Sequence, residues 1–292
     1  MMSSAAMPDS PTPRENDGRA GLARQARRVA LVATCLLDAL RPQAVEAACR
    51  LLQGAGVQVA VPPAQTCCGQ PGWNGGDWAG AQAVAGTTLD TLAHAEVDAV
   101  IVPSGSCGGM ILRHWPRLFA ETPKYAVARD IAARTFELCE FLHLRDAEPL
   151  AGRWAFGAVA FHDSCSLQRE IGETAAPRAL LSRVPGLDVV IPADCEICCG
   201  FGGLFSVELP EVSVRLADDR IRAIRATGAR VLTGADAGCL MHLAGRMATL
   251  GLKVATFHVA EILAGRVHDD TPGINGITPA EALATARKGG AA

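Results

Sequence analysis

Short apolar runs rich in β-branched residues alternate along the chain with longer stretches of helical periodicity. The runs that predict strands are Val29–Thr34, Val57–Val61, Asp98–Val102, Val159–His162, Leu187–Ile191, Arg230–Thr233 and Lys253–His258. The helical patterns are Gln43–Gln53, Trp78–Ala95, Met110–Ala120, Phe136–Leu144, Ala176–Val184, Val212–Ala226 and Leu240–Leu250. Strands that alternate with helices predict an α/β fold, in which helices flank mostly parallel sheets.

A break at Pro149–Gly152 divides this pattern into two domains, which we expect at residues 29–149 and 150–264. Residues 1–28 contain several prolines and arginines and are expected to form a flexible tail. Residues 265–292 are expected to form a C-terminal tail with a loose helix near its end. The run from Val29 to Leu37 ends without a small-residue cleavage site, so we interpret it as a buried strand and not as a signal peptide. No apolar run approaches the length of a transmembrane helix, so we expect a cytoplasmic protein.

Eleven cysteines dominate the candidate chemistry, and eight of them repeat in order. The first half contains Cys35, the pair Cys67-Cys68 and Cys107, with 31 and then 38 residues between them. The second half contains Cys165, the pair Cys198-Cys199 and Cys239, with 32 and then 39 residues between them. We call these sets the first and the second quartet. Their matching spacing indicates two tandem CCG-type repeats related by internal pseudo-symmetry.

Each cysteine of the two quartets follows a predicted strand. The carboxyl ends of parallel strands meet at one edge of a sheet, so cysteines that are far apart in sequence can converge there. Four converging thiolates in each half suit a soft metal centre, either iron–sulfur or zinc. Adjacent cysteines suit neighbouring irons of a cluster better than two corners of one zinc tetrahedron, and we therefore favour iron–sulfur. Free cysteines are often core residues, but the repeat argues against that interpretation here.

The other candidate residues are less informative. Cys49 and Cys139 lie within predicted helices and are expected to be packing residues. Cys195 precedes Cys198 by three residues without a counterpart in the first half, and we interpret it as incidental. His242 follows Cys239 by three residues and is a further candidate metal ligand, whereas Met110 holds the matching place after Cys107.

Composition excludes some partners. The net charge of −3 gives no general attraction for nucleic acid or an anionic membrane, and an aromatic content of 4% argues against a base-stacking surface. The sequence contains no flavin or nicotinamide motif that we recognise, and no catalytic base can be assigned from it.

The repeated motifs resemble the cysteine-rich CCG domain, which occurs in a subunit of heterodisulfide reductase and in the iron–sulfur subunit of glycolate oxidase. A closer resemblance is to the lactate-utilisation protein A family, also called LutA, YkgE or LldE. It covers residues 29–264. The matching segments are Thr34–Leu40, Cys67–Pro71, Pro103–Cys107, His162–Leu167, Cys198–Val207 and Gly234–His242. The fuller CCG pattern ends in Cys-x-x-Cys, whereas this chain has Met110 and His242 at those places.

The resemblance implies an iron–sulfur subunit of a cytoplasmic oxidoreductase complex that oxidises L-lactate, a small 2-hydroxy acid, to pyruvate. LutB-like and LutC-like subunits are the implied partners. The implied cofactor is one or two 4Fe-4S-type clusters per chain, bound by the two quartets. Two alternatives stay open: a thiol–disulfide reductase subunit of the heterodisulfide type, and a zinc-stabilised scaffold without catalytic activity.

Overall fold

The computed structural model describes the backbone of residues 13–289 and the side chains of residues 18–285. The elements of the first half are α1 (Pro13–Gln25), β1 (Arg28–Leu31), α2 (Cys35–Leu40), α3 (Pro42–Gly54), β2 (Gln58–Ala60), α4 (Gln70–Asn74), α5 (Trp78–Ala93), β3 (Ala99–Val102), α6 (Gly105–Gly109), a π-helical turn (Met110–His114), α7 (Trp115–Leu118), α8 (Tyr125–Ala133), β4 (Thr135–Glu137) and α9 (Leu138–Leu144).

The second half repeats this order with fewer helices. Its elements are β5 (Ala158–His162), a π-helical turn (Leu167–Ile171), α10 (Ala175–Ser182), β6 (Asp188–Val190), α11 (Phe205–Glu208), α12 (Pro210–Ala226), β7 (Val231–Gly234), α13 (Ala237–Thr249), β8 (Ala255–His258), α14 (Val259–Leu263) and α15 (Pro279–Gly289).

Each half contains a four-stranded parallel sheet, so the expected α/β fold with two repeats is confirmed. The strand orders are β2-β1-β3-β4 and β6-β5-β7-β8. In the central pairs, Val29 lies beside Ala99 in the first sheet and Val159 lies beside Val231 in the second. Strands β3 and β7 are buried throughout because helices cover both of their faces, which explains their continuous apolar sequences.

A shared core joins the two halves. Helix α3 of the first half packs against α14 of the second, and α9 packs against α10. The side chains between these helices form one apolar cluster that includes Leu51, Phe141, Leu181 and Ile262. Each sheet has a separate apolar cluster on its opposite face, so the two repeats form back-to-back layers around a common interior.

The structure contains short helices that the sequence pattern did not predict, among them α2, α4 and α8, and it differs from the expectations in two further respects. Residues 135–137 form a strand, β4, which pairs with β3, so the helix expected from Phe136 begins only at Leu138. Residues 13–25, assigned above to the flexible tail, form helix α1; its Ala23 and the following Ala26 are buried in the shared core. Residues 1–12 lie outside the described part. The C-terminal segment forms helix α15, whose Ala282 is also buried in that core.

Candidate metal centres

The sulfur atoms of the first quartet form a continuous series of contacts. The thiol of Cys35 hydrogen-bonds with Cys67, Cys67 with Cys68, and Cys68 with Cys107. Cys35 is exposed, Cys67 and Cys107 are half-buried and Cys68 is buried, so the quartet reaches from the surface into the interior. Residues that are 72 positions apart at the extremes, Cys35 and Cys107, therefore share one small volume.

The second quartet repeats this arrangement. Cys165 contacts Cys198, Cys198 contacts Cys199, and the sulfurs of Cys199 and Cys239 are 2.9 Å apart. Cys199 and Cys239 are both buried. The cysteines of the second quartet thus meet in the same order, and the three loops that carry them are the counterparts of those in the first half.

Parallel strands explain this convergence. Strands β1, β2 and β3 end shortly before Cys35, Cys67 and Cys107, so all three loops leave the same edge of the sheet. The fourth cysteine of each quartet lies in the first turn of a helix, and a side chain caps that turn. Ser104 Oγ accepts a hydrogen bond from Cys107 N at 3.5 Å, and Asp236 Oδ1 accepts one from Cys239 N at 3.3 Å.

The glycine after each cysteine pair is required by the backbone. Gly69 has φ 89° and Gly200 has φ 88°, in the left-handed region that side chains rarely adopt. A Cβ at Gly69 would lie 2.9 Å from the carbonyl oxygen of Ala81, and one at Gly200 would lie 2.3 Å from that of Ser213. Glycine therefore lets the Cys-Cys loop approach the following long helix and turn back towards the other sulfurs.

Hydrogen bonds from neighbouring groups favour negative charge on sulfur. The thiols of Cys35 and Cys68 and the amides of Gly69 and Cys68 lower the pKa of Cys67 to about 2, although burial opposes this. The hydrogen bond to Cys67 raises the pKa of Cys35, which stays a thiol. In the second quartet, the amides of Gly200 and Phe201 lie 3.4 and 3.5 Å from the sulfurs of Cys198 and Cys199 and act in the same direction. Neighbouring thiols and burial nevertheless raise the pKa of all four cysteines of that quartet.

The loops that carry Cys107 and Cys239 also contact each other across the two halves. Asp236 Oδ2 accepts hydrogen bonds from Ser106 N at 2.7 Å and from Ser104 Oγ at 3.2 Å. The amide of Gly105 donates to the carbonyl of Ala235 at 3.0 Å. Asp236 therefore caps its own helix with one oxygen and holds the opposite loop with the other, which fixes the relative positions of the quartets.

A cavity of about 120 Å³ adjoins the first quartet. All four cysteines of that quartet line it, and the second half contributes Phe201, Gly203, Ala237 and Gly238. The cavity therefore lies where the two repeats meet. A small molecule in it would contact the first quartet and the glycine-rich loop of the second half together.

A buried histidine lies beside the second quartet. One ring nitrogen of His162 and the sulfurs of Cys199 and Cys239 lie within 4.8 Å of one another. Burial and the adjacent Arg220 guanidinium lower the pKa of His162 to about 3, so the ring is neutral at physiological pH. The cysteine motifs alone do not single out either residue: His162 precedes Cys165 by three residues, and Arg220 is one of several arginines in α12.

The remaining candidates make other contacts. His242 Nε2 lies 3.2 Å from Ser213 Oγ, and its ring is 6.0 Å from that of Phe201. Met110 is fully buried in the core of the first half. The carbonyl of Cys195 accepts a hydrogen bond from Gln168, whereas Cys49 and Cys139 pack in the shared core.

Comparison with known proteins identifies the family. Both halves match the cysteine-rich CCG domain, at residues 29–112 and 159–244. Over 237 residues the chain is 40% identical to Lactate utilization protein A of Exiguobacterium sp., which covers 80% of this chain and 96% of that relative. The chain belongs to the lactate utilization protein A family. The resemblance drawn from the cysteine motifs is thereby confirmed.

Two other members of the lactate utilization protein A family are similarly close to this chain. The relative from Geobacillus kaustophilus is 39% identical over 241 residues, which are 82% of this chain and 99% of the relative. The relative from Shouchella clausii is 38% identical over 237 residues, which are 80% of this chain and 98% of the relative. Within residues 13–289, none of the helices combines the length and the apolar character needed to cross a membrane.

Proposed function

We propose that this chain is the iron–sulfur subunit of a cytoplasmic complex that oxidises L-lactate to pyruvate. The observation that carries the proposal is the pair of sulfur quartets, each drawn from three loops at the carboxyl edge of a parallel sheet. Relatives at about 40% identity are named for lactate utilisation, which supports the substrate class.

The donors fit iron–sulfur groups of the 4Fe-4S type, one in each half. Cys35, Cys67, Cys68 and Cys107 would hold the first group, and Cys165, Cys198, Cys199 and Cys239 the second. Thiolates are the usual ligands of such groups, and the amides directed at Cys67, Cys198 and Cys199 supply hydrogen bonds that stabilise anionic sulfur. Met110 is buried in the core and His242 lies against Ser213, so we assign four cysteines to each group and keep His242 as a further candidate ligand.

When bound, iron–sulfur groups accept and donate single electrons. Oxidation of lactate to pyruvate releases two electrons and two protons, so the complex also needs groups that accept the protons and transfer the electrons onward. The side chains around the first quartet and its cavity are mainly thiols, small or apolar residues and capping groups. We therefore assign those steps to LutB-like and LutC-like partners, and we assign to this chain the passage of electrons between its two centres.

The test is metal analysis of protein purified without exposure to air. We expect iron and sulfide to be present together, with a broad absorbance near ~400 nm that is typical of thiolate-bound clusters. Cys68→Ser and Cys199→Ser should each remove about half of the iron, because each removes a buried ligand from a different centre. Cys49→Ser is the matched control, since Cys49 packs away from both quartets and should leave the iron unchanged.

Other outcomes would contradict the proposal. Stoichiometric zinc in place of iron would support the scaffold alternative. Equal loss of iron in all three variants would contradict the assignment of the quartets. A disulfide substrate that the isolated chain reduces, with no effect of the chain on lactate oxidation by the complex, would favour the thiol–disulfide reductase alternative.

A further inference from the structure

A buried arginine and a buried histidine form a pair beside the second quartet. Arg220 is 0% exposed and His162 is 1% exposed. Arg220 Nε donates to His162 Nδ1 at 3.1 Å, and its Nη1 donates to the carbonyl of Asp194 at 3.0 Å. Among the side chains that the structure describes, no carboxylate forms an ion pair with Arg220.

An unpaired positive charge in the interior is costly unless a negative group lies nearby. The sulfurs of Cys199 and Cys239 lie within 4.8 Å of a ring nitrogen of His162. Among the acidic groups that act on the Arg220 guanidinium, Cys195 and Asp163 have the largest effect, followed by Cys199 and Cys239. Asp163 itself pairs with Arg178. Thiolates of the second quartet that hold a metal group would add negative charge near the buried guanidinium, beyond that of Cys195 and Asp163.

The hydrogen bond from Arg220 also fixes the role of His162. Because Nδ1 accepts the hydrogen bond from Arg220 Nε, the neutral ring carries its hydrogen on Nε2. Nε2 is buried and has no hydrogen-bond partner among the described residues. A histidine that binds a metal normally donates from its other ring nitrogen, and a guanidinium cannot accept that hydrogen. The geometry thus favours His162 as a hydrogen-bond donor to sulfur and not as a metal ligand.

The first half has no equivalent of this pair among its described residues. Val32 occupies the position of His162, since Val29 and Val159 hold the same register in the two sheets. The contacts of Gly69 with Ala81 and of Gly200 with Ser213 align the two long helices.

That alignment places Thr88 at the position of Arg220. Thr88 Oγ1 accepts a hydrogen bond from Thr66 N at 2.8 Å, so it holds the loop before Cys67 as Arg220 holds the loop before Cys198. Thr88 and Arg220 therefore both stabilise the loop before a cysteine pair, but only Arg220 is charged.

We infer that His162 and Arg220 make the two centres unequal, so that the second centre is reduced at a higher potential than the first. The inference rests on the proposed function, because it concerns iron–sulfur groups in both quartets. A positive charge and an N–H donor beside sulfur stabilise the additional electron of the reduced state. An electron on the first centre, next to the cavity, would then pass downhill to the second. His162 and Arg220 are positioning residues in this scheme and do not bind the iron.

The experiment is a redox titration of anaerobically purified protein monitored by EPR. Two separate midpoint potentials are expected in the unmodified chain. His162→Val and Arg220→Thr introduce the residues of the first half, and each should lower the higher potential towards the other, which stays in place. His162→Gln keeps an N–H donor, so it should lower the higher potential less than His162→Val does. Arg222→Ala is the control, because Arg222 lies on the same helix with a largely exposed side chain and should leave both potentials unchanged.

The possible failures are distinguishable. Iron and sulfide content is measured first, and their absence from the unmodified chain would overturn the proposed function itself. With both centres loaded, identical potentials in the unmodified chain, or a higher potential that His162→Val does not move, would overturn this inference alone. Pulsed EPR of protein labelled with ¹⁵N-histidine tests the tautomer without any substitution. A weak nitrogen coupling is expected for a hydrogen-bond donor, whereas a strong coupling would show ligation and overturn the inference.

Discussion

Replacement of the glycine after the second cysteine pair tests how the loop positions its sulfurs. Gly200→Ala adds a single methyl group at φ 88°, where its carbon would lie 2.3 Å from the carbonyl oxygen of Ser213. Two costs follow. An alanine in the left-handed region loses about 1–2 kcal/mol. The overlap with the helix backbone adds an overpacking cost of about 1–3 kcal/mol, because a carbonyl in a helix cannot rotate away as a flexible side chain would.

Substitutions at two other glycines distinguish the conformational cost from the cost of overlap. Gly228 has φ 74°, and a Cβ added there would have no atom within 4 Å, so Gly228→Ala should show the conformational cost alone. A Cβ at Gly69 would lie 2.9 Å from the Ala81 carbonyl oxygen, so Gly69→Ala should be intermediate. For a chain of this size, 1 kcal/mol corresponds to a change of about 2–4 °C in the midpoint of thermal unfolding.

The assay combines the unfolding midpoint with iron content, both measured anaerobically. We expect the loss of stability to increase from Gly228→Ala through Gly69→Ala to Gly200→Ala. The iron loss should be confined to the latter two, because only these loops carry cysteines. Equal midpoints for Gly228→Ala and Gly200→Ala would refute the role of the close approach. A full iron complement in Gly200→Ala would refute the view that the approach positions Cys198 and Cys199.

Three further predictions concern groups outside the quartets. Glu261→Gln should destabilise the chain by about 3–5 kcal/mol in urea unfolding, because it leaves the guanidinium of Arg41, which pairs with Glu261 at 2.8 Å, buried without a charged partner. Burial raises the pKa of Glu137 to about 8, so the folded chain retains a proton that the unfolded chain loses near pH ~4.3. The free energy of unfolding should therefore fall as the pH rises between these two values, and Glu137→Gln should make it less dependent on pH. Trp115→Phe removes the donor to the carbonyl of Cys68 at 2.9 Å and should cost about 1–3 kcal/mol and lower the iron content of the first centre.

Each of these predictions has a control or a contrary result. Arg222 pairs with Asp219 on the protein surface, and Asp219→Asn should leave the urea midpoint unchanged where Glu261→Gln lowers it. An unchanged slope of stability against pH in Glu137→Gln would show that another group binds the proton. Trp115→Phe should leave the second centre fully loaded, and equal loss from both centres would point to general unfolding.

The parts of the fold that the sequence predicted are those where local pattern and tertiary packing agree. Strands β1, β3, β5 and β7 are apolar over most of their length because both faces of each sheet are covered, and such runs are recognisable without a structure. The cysteines were placed at one edge by their position after these strands. Strand β4 was missed because it has only three residues, Thr135–Glu137, and acquires its structure from pairing with β3.

The parts of the site that the sequence did not predict depend on burial. Arg215, Arg220, Arg222 and Arg225 all lie in α12, and their spacing does not show which one faces the interior. Of these four, Arg220 is the one that hydrogen-bonds to His162. The repeat itself directed attention to residues that the halves share, whereas His162 and Arg220 matter because Val32 and Thr88 replace them in the other half.

The contact between the halves explains why both repeats are needed in one chain. The capping residues Ser104 and Asp236 occupy equivalent positions at the helices that carry the fourth cysteines, and they hydrogen-bond to each other. The cap of one centre therefore depends on the loop of the other. The second half also completes the cavity beside the first quartet. Either half alone would lose a capping partner and one wall of that cavity, so duplication here produces a joint site and not two independent ones.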